Sequence, residues 1–177
     1  MSISKGVVDL ERIGDEAVKI AQMAKKIAAQ GKLSYGYAEV QHLSNQVRLM
    51  LHNALEAFSQ SNAEQAFEVM RNDSMVNDEY QSAIRALMTY IMEDSRHVSK
   101  VINIMWVLRA LERVGDHAQN IAELVINYIS GQDVRHSDYA LVEKAVQEAN
   151  DRMAARQVST LSATKPAVKA ATDFVDS

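Results

Sequence analysis

A segment near the start of the chain returns about a hundred residues later. Residues 10–21 and 111–122 are identical at 8 of 12 positions, and both copies contain Leu-Glu-Arg-x-Gly-Asp. Repetition at so long a period is typical of duplicated structural units. The second copy falls in the third helix of a predicted three-helix unit, whereas the first falls in the first helix of the chain. We therefore expect two units, the first of which has only its last helix.

Apolar residues spaced three and four positions apart predict amphipathic helices along most of the chain. Among the 177 residues, one Pro and six Gly are too few for a turn-rich β fold. We expect helices at 4–29, 37–58, 63–92 and 96–130, and a weaker one at 139–153. The predicted helix ends involve Gly31, Asn62 with Gln65, Ser95 as an N-cap, and Gly131.

This pattern predicts an all-α fold, an antiparallel three-helix-bundle repeat with one extra helix from an incomplete first repeat. Residues 1–30 would form the last helix of that incomplete repeat. Residues 37–131 would form the complete second repeat. Residues 132–177 would be an extension, with a short helix followed by a disordered segment.

Composition excludes several classes of function. The chain has no cysteine, which removes disulfides, zinc-thiolate sites and thiol catalysis. A net charge of −4 without a long basic run argues against a nucleic-acid partner. No apolar stretch approaches the ~20 residues that span a bilayer, and no signal peptide is evident. We expect a cytoplasmic protein without direct membrane insertion.

Glu112 and Asp116 are four residues apart, so that a helix presents both on one face. Gly115 between them would let a neighbouring helix or an ion approach closely. Paired carboxylates at one-turn spacing suit oxygen-preferring cations, or iron and manganese. The alternative is a solvated or salt-bridged face, because Arg113 stands beside Glu112.

The same spacing recurs in two other helices. Glu11 and Asp15 repeat the pair in the first helix, and Asp73 with Asn77 offers a related pair in the third. If the third and fourth helices pack side by side, Asp73, Asn77, Glu112 and Asp116 would share a groove. A semi-buried cluster of acids favours a cation, because burying unpaired carboxylates is costly.

Enzymatic function has weak support. Glu39 and His42 form the single Glu-x-x-His, whereas carboxylate-bridged di-iron bundles need two such motifs. The other histidines have no partner at ligand spacing, and no phosphate loop or nucleophile motif is present. We therefore predict a protein that is not an enzyme. A di-metal helical-bundle enzyme and a metal-binding structural module remain the alternatives.

Several segments together resemble the C-terminal part of the PhoU family. They are the stretch Leu111–Glu123, the stretch Gly131–His136, the stretch Leu87–Arg96 before the last helix, and the Asp73/Asn77 pair. The resemblance covers roughly residues 2–136. It implies a phosphate-responsive adaptor, built from two similar three-helix bundles, that negatively regulates the phosphate-starvation response. Its partners would be the ATPase subunit of the phosphate ABC transporter and a membrane sensor histidine kinase.

The resemblance also implies metal, because some members bind multinuclear iron or zinc clusters on acidic ridges. Carried over to this chain, the candidate ligands are Glu11 with Asp15, Asp73 with Asn77, and Glu112 with Asp116. A typical member is longer at the N-terminus by about two helices, which agrees with the internal repeat. One of two clusters should then be weakened or missing, and Asn77 replaces a charge in the other.

The apolar stripe of the first helix, from Val7 to Ile27, would have had two neighbouring helices in a complete first repeat. We assign Val7, Leu10, Ile13, Ala17, Ile20, Ala24 and Ile27 to this stripe. An uncovered apolar stripe is usually buried by another surface. We therefore expect a homodimer, side by side or domain-swapped.

Overall fold

The computed structural model describes residues 2–31, 35–134, 138–152 and 155, and within them the chain is all-helical. The four long helices are α1 (Ser2–Ala29), α2 (Tyr37–Gln60), α3 (Ala63–Glu93) and α4 (Val98–Ser130), with a 3-10 turn at Ser95–His97 before α4. Residues 139–152 are also helical. The predicted all-α class is confirmed. The tail predicted to be disordered lies mostly outside the described residues.

Helices α2, α3 and α4 pack against one another as an antiparallel bundle. Leu43, Leu87 and Leu108, one from each helix, are fully buried at its centre. Gly36, just before α2, has φ +83°, and a Cβ there would lie 2.8 Å from Ile104 Cδ1. Only glycine combines that backbone conformation with so close a contact.

Three of the predicted helix ends agree with the structure and one does not. Asn62 caps α3 by accepting a hydrogen bond from Gln65 N at 3.1 Å. Gly31 and Gly131 follow α1 and α4 with φ of 79° and 73°. The prediction of Ser95 as an N-cap is wrong, since the preceding Asp94 caps the 3-10 turn. Its carboxylate accepts from Arg96 N at 3.0 Å and also binds the Arg96 guanidinium.

Helix α1 runs antiparallel to α4 and, among the four long helices, packs only on it. Gln30 at its end hydrogen-bonds Ser99 and Asn103 near the start of α4. The row that faces α4 is Gly6, Asp9, Ile13, Glu16, Ile20, Met23 and Ile27.

The apolar stripe predicted for α1 divides into two parts: Ile13, Ile20 and Ile27 pack on α4, and the rest is uncovered, as expected of a stripe without its two neighbouring helices. Val7, Leu10, Ala17 and Ala24 were assigned to it, and all four are exposed. Acidic residues occupy two positions of the row that faces α4, because polar side chains of α4 meet them there. An apolar-only pattern cannot identify a packing face that contains paired charges.

The helical segment 139–152 packs on the bundle through Val142, Ala145, Val146 and Ala149, which are buried. Tyr139 Oη donates to the Met70 carbonyl at 3.3 Å, and Arg152 Nη2 donates to the Ser130 carbonyl at 3.1 Å.

In the part of the chain that the structure describes, none of the helices has the length and apolar character needed to cross a bilayer.

Candidate functional site

An acidic cluster lies where α3 packs against α4, as the spacing of the acids predicted. Asp73 and Asn77 project from α3, and Glu112 and Asp116 project from α4. Glu112 is only 8% exposed and Asp73 is half-buried, whereas Asp116 is exposed. We call these four residues the acidic cluster.

The close approach of the helices at this point depends on Gly115. A Cβ added there would lie 3.3 Å from Val76 Cγ1 of α3 and 3.9 Å from Met50 Sδ of α2. The predicted role of Gly115 in close packing agrees with this geometry. Because the glycine brings α3 against α4, the acids on the two helices interact electrostatically.

Burial raises the pKa of Asp73, and the neighbouring Asp116 charge raises it further. The same two causes raise the pKa of Glu112, although Arg109 and Arg113 oppose them. Partial loss of hydration raises the pKa of Asp116 itself. The three carboxylates therefore destabilise one another when all are ionised.

Neighbouring groups compensate only part of this charge. Arg109 Nη1 lies 2.7 Å from both carboxylate oxygens of Glu112. Asn77 Nδ2 donates to Asp73 Oδ2 at 2.9 Å. The other oxygen, Asp73 Oδ1, is buried and has no hydrogen-bond partner. A buried oxygen in this state carries an uncompensated desolvation cost.

The cluster meets only part of what a metal requires. Oxygen donors and an unpartnered Asp73 Oδ1 suit a hard cation. However, Arg109 occupies both oxygens of Glu112, and Asn77 directs its amide nitrogen at Asp73. Across the described ranges, no three His, Asp or Glu side chains are placed to hold a metal ion. A multinuclear cluster does not fit this arrangement, and metal binding stays a prediction.

Glu11 and Asp15, the acidic pair of α1, lie apart from this cluster. Both are exposed. Asp15 lines a groove between α1 and α4 that also reaches Asp116, whereas Glu11 is not among the groove residues. The groove therefore connects one member of two of the three predicted pairs, Asp15 of α1 and Asp116 of α4.

The groove between α1 and α4 has a volume of about 500 Å³ and a strongly charged lining. Glu16 is buried in its wall, 2.8 Å from Lys19 Nζ and 3.4 Å from Arg113 Nη1. Burial opposes ionisation of Glu16, but the two cations outweigh it and lower its pKa. The groove is lined by Arg12, Asp15, Glu16, Lys19, Arg109, Arg113, Asp116 and His117.

Sequence reasoning missed a polar contact at one end of this groove. His117 has no partner at ligand spacing in the sequence, but in the structure its Nδ1 lies 2.9 Å from Asp9 Oδ1 of α1. Asn120 Nδ2 donates to the same oxygen at 3.1 Å. Asp9 and Glu16 are seven residues apart on one side of α1, a spacing that could have identified them as inward-facing acids.

Comparison with known proteins gives a consistent result. Residues 40–125 match the family model described as the PhoU domain. The chain is 50% identical over 147 residues to the phosphate-specific transport system accessory protein PhoU homolog of Pseudomonas aeruginosa, which covers 83% of this chain and 61% of that protein. It is 40% identical over 136 residues to the phosphate-specific transport system accessory protein PhoU of Escherichia coli K12, covering 77% of this chain and 56% of that protein.

A solved structure is also similar. The crystal structure of PhoU from Pseudomonas aeruginosa matches with a TM-score of 0.73 and 52% identity, over 74% of this chain and 63% of that chain. The present chain spans less than two thirds of the length of these relatives.

Proposed function

The chain belongs to the PhoU family, and we propose on this premise that it is an accessory protein that regulates phosphate uptake. The observation that carries this proposal is 50% identity over 147 residues to a protein named as an accessory of phosphate-specific transport. The names of the relatives describe an accessory protein rather than an enzyme. They agree with the prediction that this chain is not an enzyme.

In finer terms, the chain would repress the phosphate-starvation response by linking two partners. These are the ATPase subunit of the phosphate ABC transporter and the sensor histidine kinase. Binding to these two partners would require the chain to be in the cytoplasm. Such an adaptor needs exposed binding surfaces rather than reactive groups.

The seam between α1 and α4 has the side chains expected of a partner-binding surface. Trp106, the only tryptophan, is 61% exposed. It shares a small groove with Arg109 and Arg113 of α4 and with Met23 of α1. Tryptophan and arginine are the side chains most enriched among residues that dominate binding energy. We assign partner binding to this seam.

Direct binding tests this assignment. We expect the purified chain to bind the isolated ATPase subunit, and Trp106→Ala to weaken that binding by about tenfold or more. Leu49→Ala is the matched control, because Leu49 is also exposed but lies on α2. Calorimetry of the three proteins would measure the effect. An equal affinity of both variants would remove the seam from the proposal.

A cellular assay tests the regulatory role as a whole. In a Pseudomonas aeruginosa strain that lacks its PhoU homolog, we expect expression of this chain to restore repression of a starvation-induced phosphatase in phosphate-rich medium. The Trp106→Ala chain should restore less repression than the Leu49→Ala chain. If the purified chain binds neither the ATPase subunit nor the kinase, and repression is not restored, the proposed adaptor function is wrong.

We further propose that the acidic cluster binds a single divalent cation through Asp73 and Asp116. Mutual repulsion of the acids and the unpartnered Asp73 oxygen support this proposal. Titration with Zn²⁺ or anaerobic Fe²⁺ should show binding that weakens at least tenfold in Asp73→Asn/Asp116→Asn. Asp78 is an exposed acid on α3, the helix that carries Asp73, and Asp78→Asn should leave the affinity for the cation unchanged. Equal binding by all three proteins would refute a cation at the cluster.

A further inference from the structure

One half of the α1–α4 seam is built from stretches that contain no acidic residue. Residues 17–30 of α1 and 98–111 of α4 contain three and two Lys or Arg, respectively, and no Asp or Glu. Hydrogen bonds between Gln30 and both Ser99 and Asn103 hold the two stretches side by side. The whole chain has a net charge of −4, so that positive charge is concentrated on one surface of an acidic protein.

Four cations lie along this half of the seam, on the side that carries Trp106. Lys19 and Lys26 are exposed and seven residues apart, an interval that places them on one side of α1. Lys19 shares the small groove at Trp106 with Arg109 and Arg113 of α4. Lys26 extends the row by about 10 Å along α1. We call Lys19, Lys26, Arg109 and Arg113 the basic seam.

Two buried acids compensate only part of the charge of the basic seam. Glu16 lies within 3.4 Å of Lys19 and Arg113, and Glu112 binds the third cation. Lys26 is the fourth, and in the part of the chain that the structure describes its side chain forms no ion pair. Four cations therefore face two carboxylates, and positive charge remains available to a ligand.

Apolar side chains lie among these cations. Trp106 and Ile102 are one helical turn apart on α4 and are 61% and 43% exposed. Trp106 and Met23 of α1 line the small groove, which has a volume of about 170 Å³. Because a cavity of about 150 Å³ accommodates benzene, this groove is large enough for one apolar side chain. The surface therefore combines an apolar pocket with flanking positive charge.

We propose that the basic seam binds an acidic helical segment of a partner protein, one apolar side chain of which enters the groove at Trp106. This inference rests on the proposed assignment of partner binding to the seam. An amphipathic helix laid in an apolar groove is a recurring mode of peptide recognition, and two antiparallel helices form such a groove along their length. Carboxylates on one side of the segment would face Lys19 and Lys26, and those on the other side would face the two arginines.

The shape of the surface favours this ligand over nucleic acid or an anionic bilayer. The pocket at Trp106 is concave, whereas a bilayer presents a flat surface. Asp15 and Asp116 line the continuation of the groove, and Asp116 lies about 15 Å along α4 from Trp106. These acids would repel a phosphate backbone that followed the groove. A short acidic segment ends before it reaches them.

The fluorescence of Trp106 provides a direct test, because the chain has a single tryptophan. The probe is a peptide of about 14 residues with leucine at every seventh position and glutamate on both sides of the leucines. We expect it to shift the Trp106 emission to shorter wavelength, because the indole loses contact with water. The same peptide with glutamine in place of glutamate should bind at least tenfold more weakly. Raising NaCl from about 50 mM to about 500 mM should weaken binding of the glutamate peptide similarly.

Two adjacent lysines give a matched pair of variants. Lys26→Glu should weaken binding of the glutamate peptide at least fivefold. Lys25→Glu changes the net charge equally, but residue 25 projects about 100° further round α1, away from the seam. It should leave the affinity within about twofold of wild type. Both lysines are exposed, so the fold should be retained, and circular dichroism would verify this.

Failure of the glutamate peptide to bind, or equal effects of the two lysine variants, would overturn the inference. So would tighter binding of a single-stranded oligonucleotide or of phosphatidylglycerol vesicles. The proposed adaptor function is judged separately, by binding of the ATPase subunit. If that binding depends on Trp106 but the glutamate peptide does not bind, the seam is the partner site and the acidic segment is wrong.

Discussion

Replacement of Gly115 by leucine is expected to destabilise the bundle by about 3 kcal/mol. Even a single added carbon would lie 3.3 Å from Val76 Cγ1 and 3.9 Å from Met50 Sδ. Both are side chains of tightly packed helices, and a leucine would need space that is filled from two directions. The free energy of unfolding from urea denaturation would measure the loss. We also expect the interactions between the acids of α3 and α4 to be disturbed.

Gly14→Leu is the matched control, because Gly14 is the repeat equivalent of Gly115. A Cβ at Gly14 meets nothing within 4 Å, and leucine is favoured over glycine in a helix by about 0.8 kcal/mol. In dilute protein, where chains do not associate, Gly14→Leu should therefore be neutral or slightly stabilising. Equal losses for the two variants would show that the contact with Val76 is not what restricts Gly115.

Arg109→Met is expected to lower the free energy of unfolding by about 2 kcal/mol at neutral pH. Methionine preserves much of the side-chain volume but removes the guanidinium that lies 2.7 Å from both oxygens of Glu112. Glu112 is 8% exposed and close to the charges of Asp116 and Asp73. The estimate is below that for a fully buried pair because Arg109 itself is partly exposed. Thermal and urea unfolding would measure it.

The stability lost in Arg109→Met should be larger at neutral pH than at acidic pH. The pKa of Glu112 is raised in the folded chain, chiefly by burial and then by Asp116. A raised carboxyl pKa means that ionisation costs stability above the unfolded-state pKa, and this cost disappears below it. Arg109→Met removes a group that opposes the rise. The difference between wild type and variant should therefore grow as pH increases from about 4 towards 7.

Two further variants separate this charge effect from lost packing. Arg109→Met/Glu112→Gln should regain most of the stability, because the uncompensated carboxylate is gone. Arg85→Met, on an exposed position of α3, should have little effect. A loss that is the same at pH 4 and pH 7 would instead point to the contact of Arg109 with the Tyr80 ring.

The candidate site could be predicted only in part. The spacing of four between Glu112 and Asp116, and between Asp73 and Asn77, correctly placed their side chains on facing helices. The sequence did not reveal that Arg109, rather than the adjacent Arg113, would bind Glu112. The position of a residue along a helix determines the direction in which its side chain projects. Which ion-pair partner it binds depends on the conformations that the neighbouring helices leave open to each side chain.

Helix α1 illustrates the same limit. Its existence follows from helix-forming composition, and its end follows from Gly31. The apolar spacing did not reveal that Asp9 and Glu16 also face α4, where Asp9 contacts His117 and Asn120 and Glu16 contacts Arg113. A pattern based on apolar residues assigns every acid to the exposed side of a helix. Only the structure shows which acids are buried against a polar partner on the neighbouring helix.

The sequence by itself determined the helices, most of their ends and the duplicated acidic motif. All of these depend on interactions within a few residues, namely hydrogen bonds along one helix, caps and side-chain spacing. Only the tertiary structure decided which copy of the motif is buried. Gly115 lies beneath Val76, whereas Gly14, in nearly the same local sequence, faces open space. The same motif is buried in one helix and exposed in the other because burial depends on which other helices pack against it. That packing is a property of the whole fold.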